Sequence, residues 1–145
     1  MSYHLLPSPN NSLTRDRGFN TNIDKCRIIS LPKITDARGH LTFIEECKHI
    51  PFDIRRVYYI YGVPNGSKRG GHMNRLTEEV VIALNGQFTV RLREAGTERT
   101  FVLDRSDSGL YIPKGVWHQI EDLSLGSIVL VLASTFYSEK DQTRV

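Results

Sequence analysis

From Cys26 onward, the chain consists of short runs of β-branched, aromatic and aliphatic residues, and turn residues separate one run from the next. This pattern is typical of an all-β domain, and no stretch has a convincing helical period except a short one after Ser138. The runs predict strands at 26–31, 41–45, 54–61, around His72, and at 79–84, 87–93, 100–103, 109–112, 116–121 and 128–134.

So many short strands in 145 residues must close or cover their edges. A double-sheet jelly roll, also called a double-stranded β-helix, does this, and small barrels of this kind hold one ligand inside. An immunoglobulin-like sandwich is the alternative, but the Cys, Trp and Cys spacing of that fold is absent. The sequence therefore predicts an all-β jelly roll.

The strongest local turn signal is Asn85-Gly86, between an apolar run that ends at Leu84 and a run in which Phe88, Val90 and Leu92 alternate with polar residues. Asn-Gly is the preferred pair for a two-residue hairpin. The sequence therefore predicts that strands 79–84 and 87–93 are hairpin partners. A second turn is predicted at 36–39.

The chain is long enough for one domain and too short for two ordinary ones. Residues 1–25 are rich in Asn, Ser and Pro without apolar periodicity, so they are predicted to be a flexible N-terminal arm that precedes a single domain at 26–145. An extended arm and exposed edge strands both favour pairing between subunits. We therefore expect a homodimer.

Composition excludes several functional classes. The longest apolar run, 128–133, is too short to span a bilayer, and the N-terminus has no apolar signal-peptide core, so we expect a cytoplasmic protein with no membrane partner. Cys26 and Cys47 form no metal or redox motif. The net charge is +3, but basic residues are interleaved with acidic ones, which fits a phosphate-bearing small ligand and not a nucleic acid.

Two motifs suggest a site. The first is Gly71, His72, Asn74, Glu79 and Gly86, in the pattern G-H-x-N-x4-E-x6-G. The second is P-x-G-x-x-H at 113–118, which ends at His118. Because successive residues of a strand face opposite ways, Trp117 and His118 should lie on different faces, and the odd separation between His72 and Glu79 requires a bend to bring them together.

These motifs resemble the two cupin signatures, H-x-H-x(3,4)-E-x6-G and P-x-G-x-x-H, with Asn74 in place of the second histidine. From about Ile28 to Asp141 the chain also resembles the dTDP-sugar 3,4-ketoisomerase family of RmlC-like cupins. The segments that carry this resemblance are DARG at 36–39, IEE at 44–46, IPF at 50–52, RVYYI at 56–60, RGGH at 69–72, GLYIP at 109–113 and VLAS at 131–134.

The resemblance implies an isomerase that needs no cofactor. Its substrate would be dTDP-4-keto-6-deoxyglucose, whose carbonyl moves from C4 to C3 through an enediolate, toward 3-amino-3,6-dideoxy sugars of bacterial surface polysaccharide such as O-antigen. Such chemistry needs an acid–base group and donors for the developing oxyanion. His72 suits the first role, and Arg69, Tyr59 and Asn74 suit the second.

Family members usually contain R-G-x-H-A-H, in which both histidines are taken as catalytic, so Asn74 is a departure. An amide donates and accepts hydrogen bonds but does not shuttle protons at physiological pH. Three alternatives follow. His72 works with another acid such as Tyr59 or Glu79, or the reaction differs in position or stereochemistry, or the protein binds a nucleotide sugar without catalysis.

The remaining candidates concern binding. Arg56 has a guanidinium fork that suits a diphosphate, and Tyr58 and Tyr61 can stack on thymine or line the sugar pocket. We also expect Glu79, Tyr111 and His118 to contact the substrate. A rival hypothesis makes the protein a metal-dependent cupin enzyme, in which His72, Glu79 and His118 bind iron, manganese or zinc and Asn74 is a weak fourth ligand.

Overall fold

Two five-stranded antiparallel sheets enclose a common core and form the predicted jelly roll. The computed structural model describes residues 21–144. In sheet order, the first sheet consists of β1 (Arg27–Ser30), β9 (Ser108–Ile112), β6 (Glu79–Asn85), β11 (Ile128–Ala133) and β4 (Arg56–Ile60). The second consists of β12 (Gln142–Thr143), β5 (Arg69–Asn74), β10 (Trp117–Glu121), β7 (Phe88–Glu94) and β8 (Thr97–Leu103).

The core lies between the sheets because each strand directs alternate side chains inward. On β7, Phe88, Val90 and Leu92 are fully buried, while Arg91 faces outward and pairs with Glu121. A second apolar cluster lies on the other face of the first sheet, where Ile50 and Phe52 are among the residues that cover it. The central strands of this sheet are therefore buried on both sides, which explains the continuous apolar runs of β6 and β11.

The Asn85-Gly86 hairpin prediction is wrong. Strand β6 pairs with β9 and β11, whereas β7 pairs with β8 and β10 in the other sheet. Asn85-Gly86 instead lies where the chain crosses between sheets, and the Asn85 amide donates to the Gly126 carbonyl at 2.8 Å. Both edges of β6 are occupied, so no edge remains for β7.

The hairpin partner of β7 is β8, and Ala95-Gly96 connects them with positive φ at both residues, 47° and 82°. These angles fit the two-residue turn whose twist matches that of the strands. A separate hairpin of β2 (Lys33–Asp36) and β3 (Gly39–Thr42) contains the turn predicted at 36–39. Nearly all of its residues are exposed, so β2 lacks the apolar signal of a core strand.

Helical structure in the described residues is limited to two 3₁₀ turns, Ile23–Lys25 and Glu139–Asp141. The second coincides with the short helix predicted after Ser138. No helix within residues 21–144 is long and apolar enough to cross a membrane. Of the predicted arm at 1–25, residues 1–20 lie outside the described part of the chain, and Ile23 is fully buried in the core cluster.

Candidate active site

A cavity of about 590 Å³ opens between the two sheets. Five strands contribute to its wall, namely β4, β5, β6, β10 and β11, together with the segment that follows β11. Its lining combines aromatic, basic and acid–base side chains with an apolar floor: Arg56, Tyr58, Tyr59, Ile60, Lys68, Arg69, Gly70, His72, Glu79, Val81, His118, Ile120, Val131, Tyr137, Gln142 and Arg144.

A bulge in β5 brings Arg69 and His72 onto the same wall, although their separation of three would place them on opposite faces of a regular strand. His118 pairs with His72 and the next residue pairs with Gly70, so the register shifts by one residue at this point. Gly70 and Gly71 have φ of +86° and +75°, which glycine adopts without strain. A Cβ on Gly70 would lie 3.2 Å from the His118 carbonyl oxygen.

Glu79 is the centre of a buried polar network. Its side chain is 2% exposed and accepts hydrogen bonds from the Asn74 amide and the Tyr58 hydroxyl. Nε2 of His118 lies 3.6 Å from Glu79 Oε1. Strand β6 lies in the first sheet and β5 in the second, so His72 and Glu79 face each other across the cavity. Burial, and then the charge of Glu79, raise the pKa of Tyr58, which keeps its hydroxyl protonated.

His72 and His118 form an edge-on pair, with ring centroids 4.9 Å apart. Nδ1 of His118 donates to the Val116 carbonyl at 3.2 Å, which fixes that ring, whereas Nε2 of His72 is buried without a hydrogen-bond partner. Burial lowers the pKa of His72 below its ordinary 6.5, and His118 lowers it further. At neutral pH, His72 is therefore a neutral imidazole whose buried Nε2 has no hydrogen-bond partner, and its side chain lines the cavity.

The cavity mouth is strongly basic. Arg56, Lys68, Arg69 and Arg144 line it, and Glu79 is the one acidic residue among the lining side chains. Lys68 lies 3.7 Å from Glu121, but the other three form no ion pair with a carboxylate within residues 21–144. Unpaired cations around an open cavity attract an anionic ligand.

Comparison with known proteins agrees with this geometry. The model of the family described as "WxcM-like, C-terminal" matches residues 24–144. Over 118 residues the chain is 41% identical to the TDP-4-oxo-6-deoxy-alpha-D-glucose-3,4-oxoisomerase of Aneurinibacillus thermoaerophilus, and the match covers 81% of this chain and 85% of that protein. The chain belongs to the TDP-sugar 3,4-ketoisomerase family.

Solved structures of related enzymes are also similar to this chain. A variant of the 3,4-ketoisomerase QdtA from Thermoanaerobacterium thermosaccharolyticum, in complex with TDP-4-keto-6-deoxyglucose, matches with a TM-score of 0.81 and 40% identity, over 83% of this chain and 87% of that one. The dTDP-4-dehydrorhamnose 3,5-epimerase of Bacillus anthracis matches with a TM-score of 0.73 and 19% identity, over 88% and 82%. The second match shows a shared fold only, and it confirms the RmlC-like fold prediction.

Seven of the predicted site residues line the cavity: Arg56, Tyr58, Tyr59, Arg69, His72, Glu79 and His118. Asn74 is not among the lining residues, because its side chain lies behind them and donates to Glu79. The Asn74 side chain is therefore placed to hold Glu79.

The other predicted tyrosines lie at different places from Tyr58, and strand alternation separates Tyr58 from Tyr59. Tyr58 faces the cavity, so Tyr59 is 62% exposed at the rim and stacks on Tyr61 at 5.6 Å. Tyr61 lines an adjoining cleft of about 370 Å³. Tyr111 packs beside Phe52 on the opposite face of the first sheet and donates to Glu78 at 2.5 Å, so it does not line the cavity.

The sequence interpretation missed the contribution of the C-terminal segment. Tyr137, Gln142 and Arg144 line the cavity, as does Lys68. None of them belongs to a recognisable motif, and β12 has only two residues, so no local pattern predicts that it pairs with β5.

The spacing of three side chains in the cavity also fits a divalent metal ion. Donor atoms of His72, Glu79 and His118 lie within 4.8 Å of one another, which is close to what two histidines and a carboxylate need around one ion. The Val116 carbonyl would orient the His118 ring for this purpose. Against this role, both Glu79 oxygens already accept hydrogen bonds, from Asn74 and Tyr58.

Proposed function

We propose that the protein isomerises dTDP-4-keto-6-deoxyglucose to its 3-keto isomer and that His72 is the acid–base catalyst. The observation that carries the proposal is the buried, unpartnered Nε2 of His72 in a cavity of about 590 Å³. Family membership and the sugar nucleotide named for the QdtA complex support the substrate.

The reaction moves hydrogen without changing the net oxidation state of the sugar. One proton leaves C3 and one is delivered to C4, while the hydroxyl proton moves from the C3 oxygen to the C4 oxygen through an enediolate. No electrons enter or leave, so the balance needs an acid–base group and oxyanion donors but no redox cofactor.

His72 meets the requirements of the base. Its lowered pKa keeps the ring neutral at pH 7, and its free Nε2 can accept the C3 proton. Because Asn74 cannot carry a proton, and because the Tyr58 hydroxyl donates to Glu79, His72 is the group that returns a proton to C4. Arg69, on the same wall, supplies positive charge for the enediolate oxygen.

Other residues position His72 and bind the substrate. Asn74 and Tyr58 hold Glu79, and Glu79 faces the His118 ring that packs against His72. Arg56 binds the diphosphate, since a guanidinium group pairs well with phosphate oxygens. The stacked rings of Tyr59 and Tyr61 offer an apolar surface at the rim for the thymine base.

We also propose a cytoplasmic homodimer that supplies 3-amino-3,6-dideoxy sugars for surface polysaccharide. Free thiols at Cys26 and Cys47 suit a reducing compartment. The β2–β3 hairpin exposes Ile34 and Leu41, at 57% and 56%, which favours pairing between subunits. A monomer in light scattering at micromolar concentration would contradict the dimer.

A metal-dependent reaction is the second candidate, and the spacing of His72, Glu79 and His118 favours it. A bound divalent ion would polarise a ketone oxygen. Activity after chelator treatment separates the two proposals, because the acid–base route survives the treatment and the metal route does not.

The test is to incubate the purified protein with dTDP-4-keto-6-deoxyglucose and follow the 3-keto product by NMR. We expect turnover, a loss of about 10²–10⁴-fold in His72→Asn, and no change in His40→Asn, a variant of an exposed residue on the β2–β3 hairpin. Binding of dTDP without turnover would instead indicate a nucleotide-sugar binding protein.

A further inference from the structure

The segment after β11 is held next to the active site by hydrogen bonds to residues 75–77. Asp141 is 7% exposed, and its carboxylate accepts hydrogen bonds from the Leu76 amide at 2.6 Å and from the Thr77 hydroxyl. Its carbonyl accepts from the Arg75 amide at 3.0 Å. Nε of Arg75 in turn donates to Thr143 Oγ1 at 2.9 Å.

These contacts align β12 with the strand that carries the catalytic motif. Gln142 pairs with Asn74 and Thr143 with Met73, so the C-terminal strand extends the second sheet directly beside His72. We call residues 137–144 the C-terminal strap. Its position is set by buried hydrogen bonds and by a strand ladder, and not by a surface contact alone.

The strap adds two groups to the basic mouth. The Tyr137 ring lies 5.6 Å from the Arg56 guanidinium, which also lies 5.5 Å from the Tyr58 ring. Nε of Arg56 is buried without a hydrogen-bond partner. Arg144 is the second group, and it has no carboxylate partner in the described residues.

We infer that the C-terminal strap is part of the substrate site and that Arg144 binds the diphosphate of the nucleotide sugar together with Arg56. The inference rests on the proposed function for the class of ligand. Three guanidinium groups, of Arg56, Arg69 and Arg144, surround one open mouth without acidic partners, and the ligand that balances them must carry more than one negative charge. A nucleoside diphosphate meets that requirement, and a neutral sugar does not.

The test measures the binding of dTDP and dTMP by calorimetry, so it does not depend on turnover. We expect Arg144→Gln to weaken dTDP binding about tenfold and dTMP binding much less, because the second phosphate is lost in dTMP. Arg144→Lys keeps the charge without the planar fork and should give an intermediate result. The matched control is Lys140→Gln, which removes the same charge from the strap at a residue that does not line the cavity.

A second variant tests whether the hydrogen bonds of Asp141 hold the C-terminal strap in place. Asp141→Asn loses one of the acceptors that anchor the strap and should weaken dTDP binding while Arg144 itself is unchanged. The inference is overturned if Arg144→Gln binds dTDP as wild type does, or if it weakens dTDP and dTMP equally. Absence of dTDP binding in the wild-type protein would instead contradict the proposed function.

Discussion

The hydrogen bond between Tyr58 and Glu79 gives the most quantitative prediction. Glu79 is buried and Tyr58 is partly buried at the cavity wall, and the carboxylate of Glu79 also accepts from Asn74. A hydrogen bond to a charged group contributes about 1.5–3 kcal/mol, so Tyr58→Phe should lower the free energy of unfolding by about that amount. Tyr59→Phe is the matched control, since that ring is 62% exposed, and it should cost less than about 0.5 kcal/mol.

Glu79→Gln replaces one acceptor oxygen with an amide donor, so this side chain can no longer accept hydrogen bonds from both Asn74 and Tyr58. We expect a cost of about 1–3 kcal/mol. Because the two single variants remove the same bond, the double variant should cost less than their sum, with a coupling of about 0.5–3 kcal/mol. Asn74 stays in place in all three variants, which isolates the one pair.

Urea unfolding followed by the fluorescence of Trp117, the one tryptophan of the chain, measures these differences, with an unchanged slope as the check on two-state behaviour. If the two substitutions are additive within about 0.3 kcal/mol, the bond does not contribute as described. Equal costs for Tyr58→Phe and Tyr59→Phe would contradict the inward orientation of Tyr58.

Three further predictions concern activity. The acid limb of kcat/KM should have its midpoint below pH 6.5, because protonation of His72 removes the base. His118→Asn should move this midpoint upward, because it removes a neighbouring charge. A midpoint above pH 6.5 in the wild type would contradict His72 as the base. Gly70→Ala should lose about 1–3 kcal/mol of stability and also most activity. The control Gly96→Ala has a similar φ but open space around it and a position far from the cavity, so it should lose stability alone. Urea unfolding and turnover measure the two effects, and equal activities of the two variants would refute a role for the bulge. Prolonged EDTA treatment should leave turnover unchanged, and recovery of a lost rate with zinc, manganese or iron would favour the metal route.

Much of the fold could be predicted because alternation along a strand is a local property. Phe88, Val90 and Leu92 predict a strand with one buried face, and that is what β7 is. The Asn85-Gly86 error has a different origin. A turn dipeptide indicates where the chain reverses but not which strand it then joins, and that choice depends on which strand edges are free in the assembled sheets.

The site was predictable where a motif spans two strands and less so elsewhere. His72, Glu79 and His118 meet because the jelly roll places β5, β6 and β10 around one cavity. The choice between Tyr58 and Tyr59 depends on the register of an edge strand, which their identical chemistry leaves open. Arg144 is brought to the cavity by tertiary pairing of a two-residue strand, for which the sequence has no periodic signal.

The central claim is that His72 transfers protons at C3 and C4 without a metal. Its most direct test is proton NMR of dTDP-4-keto-6-deoxyglucose incubated in D2O with EDTA-treated protein. We expect a 3-keto product that carries deuterium at C4, formed by the wild type and not by His72→Asn. Equal product formation by His72→Asn, or no product while dTDP still binds, would contradict proton transfer by His72.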